Sequence, residues 1–454
     1  MTVDPRPHVV IIGGGFCGLA AAYELGTRNI RATVLEAESD IGGLAGSFDV
    51  NGTRLEKFYH HWFTNDVHVM RLIDELGQRD HVLLRPTRTG MYYANQIFRL
   101  SSPRDLLRFS PLPLRDRVRL GLLALRARGV KDWRTLENRT AAEWLRDMGG
   151  ERVYRVVWEP LLRGKFGDLA DEVSAVWFWN KLKLRGGSRG KGGEEQLAYY
   201  RGGFASLADT LAEEIHARGG EIRTASPATG LRSDGGLVTG VTTSEGVVAA
   251  DAVIVTPALP IVAQLMESHV PSEYLESLHR IRYLANLCIV LELDRSLSET
   301  YWLNVNDPGF PFVAVIEHTN FEPESTYAGR HIVYLSKYLP QSDEMYKLPD
   351  ADVVRLTLEH LRRMFPALSE DWLIEAHVWR ADYAQPVVER RYSELIPSLE
   401  TPLRNLYLAT MAQVYPEDRG TNYAIREGRH AARTVADKLH PRSDVAHDER
   451  VRHG

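Results

Sequence analysis

The sequence predicts an α/β protein, α+β over the whole chain, in which a parallel-sheet domain is interleaved with a second domain built on a mixed or antiparallel sheet and helices. Three observations predict it. An apolar strand near the start runs into a glycine-rich turn and a helix; a loop, helix and buried strand follow between 200 and 257; and a strand–helix pair closes the chain at about 403–440. A chain of 454 residues has room for two such domains with sizeable cores. The formal net charge of −5 offers no grip for a polyanion, so no nucleic-acid partner is expected. Cys17 and Cys288 make neither a disulfide framework nor a metal cluster. The start lacks a signal-peptide pattern, and no apolar run approaches the roughly 20 residues that span a bilayer. The expected setting is therefore the cytoplasm.

The first element, "HVVIIGGGFCGLAAAYELGTRN", reads as a strand from Val9 to Ile12, a tight turn and a helix. The turn is Gly13-x-Gly15-x-x-Gly18, with Phe16 and Cys17 between the last two glycines. Gly13 permits the turn, Gly15 lets a diphosphate approach the backbone, and Gly18 lets helix and strand pack closely. The helix N-terminus offers free N–H groups and about half a positive charge to phosphates. "IRATVLEAESD" is the second strand, ending in Glu36 and Ala37, where a carboxylate can accept both ribose hydroxyl protons. This Rossmann-like unit alone does not choose between NAD and FAD. Gly42-Gly43, followed by Leu44, extends the motif in a way nicotinamide-binding domains usually do not.

With that extension the sequence resembles the FAD-dependent amine oxidase, protoporphyrinogen oxidase and phytoene desaturase family, which has a glutathione-reductase-like fold. The resemblance implies non-covalently bound FAD, with the glycine pair beside the diphosphate. It also gives meaning to two later segments. "YYRGGFASLADTLAEEIHARGGEI" predicts a helix with Leu207, Leu211 and Ile215 on one face, stopped by Gly219-Gly220. The meander after it leads to a buried strand at Ala252–Thr256, and the family's backbone contact to adenine falls by position on Ala228. "NLYLATMAQVYPEDRGTNYAIREGRHAARTVADKL" predicts a strand, Leu406 to Ala409, and a helix packing through Ala424, Gly428, Ala431 and Ala432. Its N-terminus, near Asn422, is implied to point N–H groups at the flavin. Where the family has Gly followed by an acid at the cofactor, this chain has Thr410-Met411, so at the cofactor-binding position Met411 the family's carboxylate contact is lost or made by backbone and water.

The FAD-binding domain is thus expected from 1–66, 200–257 and 403–440, the substrate domain from 67–199 and 258–402, and a flexible tail from 441 to 454. "LANLCIVLELDR", "FPFVAVIEHTN" and "RHIVYLSKYL" predict strands, and "DADVVRLTLEHLRRMFP" an amphipathic helix. The basic, glycine-rich 180–195 stretch predicts a mobile loop that either meets an anionic substrate or is simply solvated. Residues 103–129 alternate Leu with Arg: the leucines either face the core or lie on a membrane surface. "KFYHHWFTND" is implied by the resemblance to run past the flavin ring, placing His60 and His61 there as candidate catalytic groups. Read as a strand, it would turn one histidine to the ring and the other away. The family's substrate-domain lysine has no counterpart in "YLANLCIVLEL", and Lys165 in "LLRGKFGD" is a substitute only by composition.

The expected activity is an FAD-dependent oxidoreductase, whether oxidase, dehydrogenase or desaturase. It would take hydride from a C–H bond of a small or lipid-like substrate onto flavin N5. "HHWFTND" also resembles the "HIF…TND" segment of UDP-galactopyranose mutases, so non-redox chemistry on a nucleotide sugar is the alternative. A third reading, a binding protein like the GDP-dissociation inhibitors, is opposed by the intact glycine turn and Glu36. The substrate and the oligomeric state are not legible.

Overall fold

Val9, Val10 and Ile11 are wholly buried because the strand that carries them, His8–Ile12, is flanked by parallel strands and covered on both faces. The computed structural model, which describes residues 4–100, 102–188 and 195–440, places it in the middle of a five-stranded sheet. The order is Glu221–Arg223, Arg31–Leu35, His8–Ile12, Ala252–Val255, Leu406–Leu408, and every neighbouring pair is parallel. Three stretches far apart in sequence thus build one sheet. The helix Phe16–Thr27 leaves the central strand through Gly13, whose φ of +105° suits glycine alone. A Cβ on Gly18 would run into the Gly13 carbonyl oxygen, so only glycine lets this helix lie so close to its strand.

The closing helix, Thr421–Leu439, packs on Phe16–Thr27 through Gly428, Ala431 and Ala432. A Cβ on Gly428 would meet the Cys17 carbonyl. The seam is also charged: Glu24, 4% exposed, accepts from Arg429 at 2.7 Å and Arg433 at 2.8 Å. Helix Gly203–Ala217 buries Leu207, Leu211 and Ile215, the predicted face.

The second large sheet has seven strands, in the order Leu373–Pro386, Tyr283–Leu293, His331–Leu339, Ala314–Glu317, Trp302–Val305, Thr89–Tyr93, Gln96–Arg99. It is antiparallel except where Trp302–Val305 runs parallel to Thr89–Tyr93. The three predicted substrate-domain strands lie in it, and "DADVVRLTLEHLRRMFP" is the helix Asp350–Met364. A small third sheet pairs Gln196–Tyr200 with Trp62–Phe63 and Val82–Pro86, tying the stretch after the glycine pair to the second domain. Buried Glu56 fixes the approach to that stretch. Its carboxylate accepts from Tyr199 Oη at 2.7 Å and Phe204 N at 2.6 Å, and its carbonyl from Tyr334 Oη at 2.7 Å.

Two expectations need correction. The stretch from 180 is not a loop throughout: helix Ala175–Gly187 runs well into it, with Ser174 Oγ accepting from Val176 N at 3.2 Å as an N-cap. Lys and Leu are good helix formers, and Val176, Trp177, Phe178 and Trp179 anchor the helix in the core, which outweighs the glycines beyond. The rest of the predicted loop, 189–194, lies outside the described residues, as does the predicted tail. The second correction concerns His60 and His61, which precede the two-residue strand Trp62–Phe63 in irregular backbone. Strand alternation therefore does not send them to opposite faces.

Candidate active site

Residues 13–15 and Glu36 follow the carboxyl ends of strands His8–Ile12 and Arg31–Leu35, the usual ligand position of such sheets. Gly42, in left-handed backbone, donates its N–H to the Gly14 carbonyl at 2.9 Å, laying the glycine pair against the first turn. A Cβ on Gly43 would come 3.1 Å from Gly15 Cα. Two backbones therefore form a cradle that side chains would fill. Glu36, at the end of its strand, accepts from Gly14 N at 2.5 Å and Glu38 N at 2.9 Å. These residues fit a dinucleotide diphosphate and ribose. Phe16 is buried edge-on to Phe204, and Ala37 is exposed just beyond Glu36. Cys17 donates to the Ala409 carbonyl at 3.1 Å, and burial pushes its thiol up, which makes it an inert packing residue.

Ala228 lies in the loop before strand Gly230–Asp234, not in a strand. Ala225 and Ser226 are the residues whose N–H groups bond the carbonyls of Glu38 and Glu36, at 2.7 and 2.8 Å. Met411 begins a short 3₁₀ turn after the last strand. Gln413 closes that turn by accepting from Thr410 N at 2.8 Å, so an amide stands in the turn where the family has an acid.

Beyond the cradle lies a cavity of about 360 Å³. One wall is Leu44 and the whole run from Phe58 to Phe63; another is Gly420, Thr421, Asn422 and Tyr423 at the start of the closing helix. Asn422 does more than mark that start. Its side-chain oxygen accepts from His68 N at 2.9 Å and Val69 N at 3.1 Å, capping the helix Val67–Glu75. Trp62 Nε1 donates to Thr421 Oγ at 2.7 Å. The second domain contributes Trp158, Leu161, Leu162, Trp177, Phe178, Trp302 and Val313. The mixture of flat apolar walls and a few polar groups is that of a small-molecule site.

Both predicted histidines line this cavity. His60 Nδ1 lies 2.6 Å from the Phe58 carbonyl, which can only accept, so Nδ1 carries the proton and Nε2 is left as an acceptor. Burial lowers the His60 pKa to about 4, so at neutral pH it is an uncharged imidazole. His61 Nδ1 is 3.0 Å from Tyr301 Oη.

Sequence reasoning missed most of the charged end. Asp418 Oδ2 lies 2.5 Å from Lys181 Nζ and 3.8 Å from Lys165 Nζ, and Oδ1 accepts from Gln385 Nε2 at 3.1 Å. Burial opposes ionisation of Asp418, but Lys181, Lys165 and Arg419 more than offset it and hold its carboxyl well below the usual range. Burial, only partly offset by Asp418, lowers the Lys165 pKa to about 7. Arg419 donates to Tyr338 Oη at 2.9 Å. The one available signal was the triplet Glu417-Asp418-Arg419 immediately before a helix start. Asp66, on the same cavity, accepts from Phe63 N at 2.8 Å and is raised by burial to about 6.

The sequence pattern of the flavin containing amine oxidoreductases matches residues 16–436. Coproporphyrinogen III oxidase of Bacillus subtilis (strain 168) is 24% identical, over 89% of this chain and 93% of its own. Zeta-carotene desaturase of Capsicum annuum is 22% identical, over 95% of this chain and 81% of its own. The crystal structure of reduced UDP-galactopyranose mutase superposes with a TM-score of 0.73 at 17% identity, covering 97% of each chain, which is a likeness of fold.

Proposed function

This chain belongs to the flavin containing amine oxidoreductases, and from that premise we propose that it oxidises a substrate whose apolar body fills the aromatic cavity and which gives up hydride from a C–H bond. It is an FAD-dependent oxidoreductase. Gly13, Gly15, Gly18, Gly42, Gly43 and Glu36 would hold the diphosphate and ribose, and the N-terminus of Thr421–Leu439 would face the ring with its positive end. FAD supplies the two-electron acceptor; the protein's part is to bind, orient and exclude water. Trp158, Trp177, Phe178 and Trp302 give flat surfaces against which a ring or chain can lie. His60 and His61 are the candidate catalytic groups: neutral His60 offers Nε2 as a hydrogen-bond acceptor, and His61 is oriented by Tyr301. The observation that carries the reading is the continuity of the cavity from His60 and His61 to the start of the closing helix.

Anaerobic mixing of the FAD-loaded protein with candidate metabolites tests it: a substrate bleaches the oxidised flavin band. Turnover only with pre-reduced flavin would instead favour non-redox chemistry on a sugar, as in the mutases that share the fold. Flavin reduction rates that stay unchanged in both His60→Ala and His61→Ala would remove the histidines from the mechanism.

A peripheral contact with an anionic bilayer is proposed for helix Leu114–Gly129. Leu114, Val118, Leu122 and Leu125 recur at helical spacing and are 42–63% exposed, while Leu120, Leu123 and Ala127 face the core. Exposed Arg115, Arg119, Arg126 and Arg128 flank the outer stripe. Among the described residues no helix is long and apolar enough to cross a membrane.

A further inference from the structure

The end of the cavity around Asp418 carries more positive charge than its own groups offset. Three cations converge there from three segments. Lys165 comes from helix Glu159–Phe166, Lys181 from helix Ala175–Gly187, and Arg419 from the loop before the closing helix. Among the described residues one carboxylate, Asp418, answers them, and one of its two oxygens is shared by both lysines. The other acid on the cavity wall, Asp66, is engaged by Phe63 N. Arg419 spends one nitrogen on the Tyr338 hydroxyl, and its Nε is buried without a hydrogen-bond partner. The indole nitrogens of Trp158 and Trp177, which line the same cavity, are likewise buried and unpartnered. Among the described residues that line this end of the cavity, the unpartnered buried side-chain atoms are thus donors. The unpartnered acceptor nearby, Gln385 Oε1, belongs to a residue that donates to Asp418 but does not line the cavity.

Withdrawing cations from water without a counter-charge costs several kcal/mol each, and unpaired buried donors add to that cost. A bound anion would offset both at once. A protonated amine would gain nothing from the donors and be repelled by the lysines. Building on the reading of this cavity as the substrate site, we propose that Lys165, Lys181 and Arg419 form an anion subsite, with Asp418 as the strut that spaces them. The subsite selects substrates bearing a carboxylate or phosphate on an apolar body. The neighbouring Leu161, Leu162, Phe178 and Leu182 supply the apolar remainder.

Four ten-carbon probes separate the cases on the full-length FAD-loaded protein: decanoate, decyl phosphate, decan-1-ol and decylamine. Binding is read by tryptophan quenching and by perturbation of the flavin spectrum. At least one anionic probe is expected to bind about tenfold or more tighter than the alcohol, with the amine weakest. Lys165→Met and Arg419→Gln should each remove most of that preference while leaving decanol affinity unchanged, with FAD content and circular dichroism as folding controls. Decanoate tighter than decyl phosphate assigns the subsite to carboxylates, and the reverse to phosphates. Equal affinities for all four probes, a tighter amine, or a preference that survives both variants overturns the anion subsite and leaves the cavity reading standing. Failure of every probe to bind overturns the cavity as substrate site, and the subsite with it.

Discussion

The two ends of the ligand cavity are built from different materials. The cradle end is backbone: Gly13, Gly15, Gly42 and Gly43 contribute closely packed main chain and no side chains, and the only charge it needs is Glu36. The far end is side chain: two lysines, an arginine, an aspartate and a tyrosine from four separated segments, each placed by the packing of its own element. A backbone site must be encoded where it stands, because only glycine at that position makes it. A side-chain site can be assembled from any surfaces the fold brings together. The first kind is rigid and generic for a dinucleotide; the second is where this chain can differ from its relatives.

The sharpest way to break the cradle is Gly18→Ala. Its Cβ would collide with the Gly13 carbonyl, backbone against backbone, with no flexible side chain to give way. The expected outcome is purified protein without FAD and a loss of about 2–3 kcal/mol in stability. Flavin absorbance relative to protein, together with urea denaturation, checks it. Full FAD content would mean the helix can slide away from its strand, and the cradle is softer than its geometry.

Asp418→Asn tests the other end. It removes the carboxylate that Lys165 and Lys181 share while preserving shape. Breaking a buried ion pair by removing one partner costs about 3–5 kcal/mol. Lys181 is 37% exposed and can turn to water, so about 2 kcal/mol is expected, with FAD content unchanged. Urea denaturation reads the loss, and flavin absorbance shows whether the two ends are independent. Loss of FAD in this variant would mean that the two ends are coupled.

The same contrast explains what the sequence discloses. The parallel sheet, the glycine cradle and the closing helix are legible because each is a local pattern with a steric cause, as at Gly18 and Gly428. The strands at Tyr283–Leu293 and His331–Leu339 are legible from β-branched, apolar runs. The helix through 180–187 is not, since its glycines and charges read as loop while the anchoring Trp177 and Phe178 lie just upstream. Lys165 could be noticed only as one lysine among many, because nothing local announces that Asp418, some 250 residues later, stands beside it. Asn422 is a subtler case: its place near the cavity was legible, but its capping of Val67–Glu75 is a tertiary event.

pH sharpens the comparison with a smaller effect. Lys165 faces Asp418, Lys181, Arg419 and Tyr338, and its pKa is lowered to about 7. A lowered lysine loses its charge as pH rises through that value, so anion binding is strongest below it and declines above it. Decanoate is fully ionised from pH 6 to 9. Its affinity should therefore fall about threefold to tenfold over that range, while decanol affinity and FAD content stay level. A flat decanoate profile would show that Lys165 keeps its proton throughout or does not touch the anion.

The smallest effect on either end is expected from the outer face of Leu114–Gly129. Leu114, Val118, Leu122 and Leu125 are already in water, so changing all four to Gln should alter stability by no more than about 0.5 kcal/mol per site. Against a bilayer the balance is different. A fully buried side chain of this size gains about 1.5–3 kcal/mol, and a half-inserted one about half of that. Four such side chains, with roughly 1 kcal/mol for each flanking arginine near anionic lipid, are enough to hold the protein on a charged surface reversibly. Wild-type protein should float with vesicles containing about one-third phosphatidylserine, less at high salt and little with neutral vesicles. The fourfold Gln variant should stay at the bottom of the gradient with its FAD content and decanol affinity intact. Wild-type protein that does not float, or a variant that floats equally well, would leave the outer stripe as no more than exposed leucines.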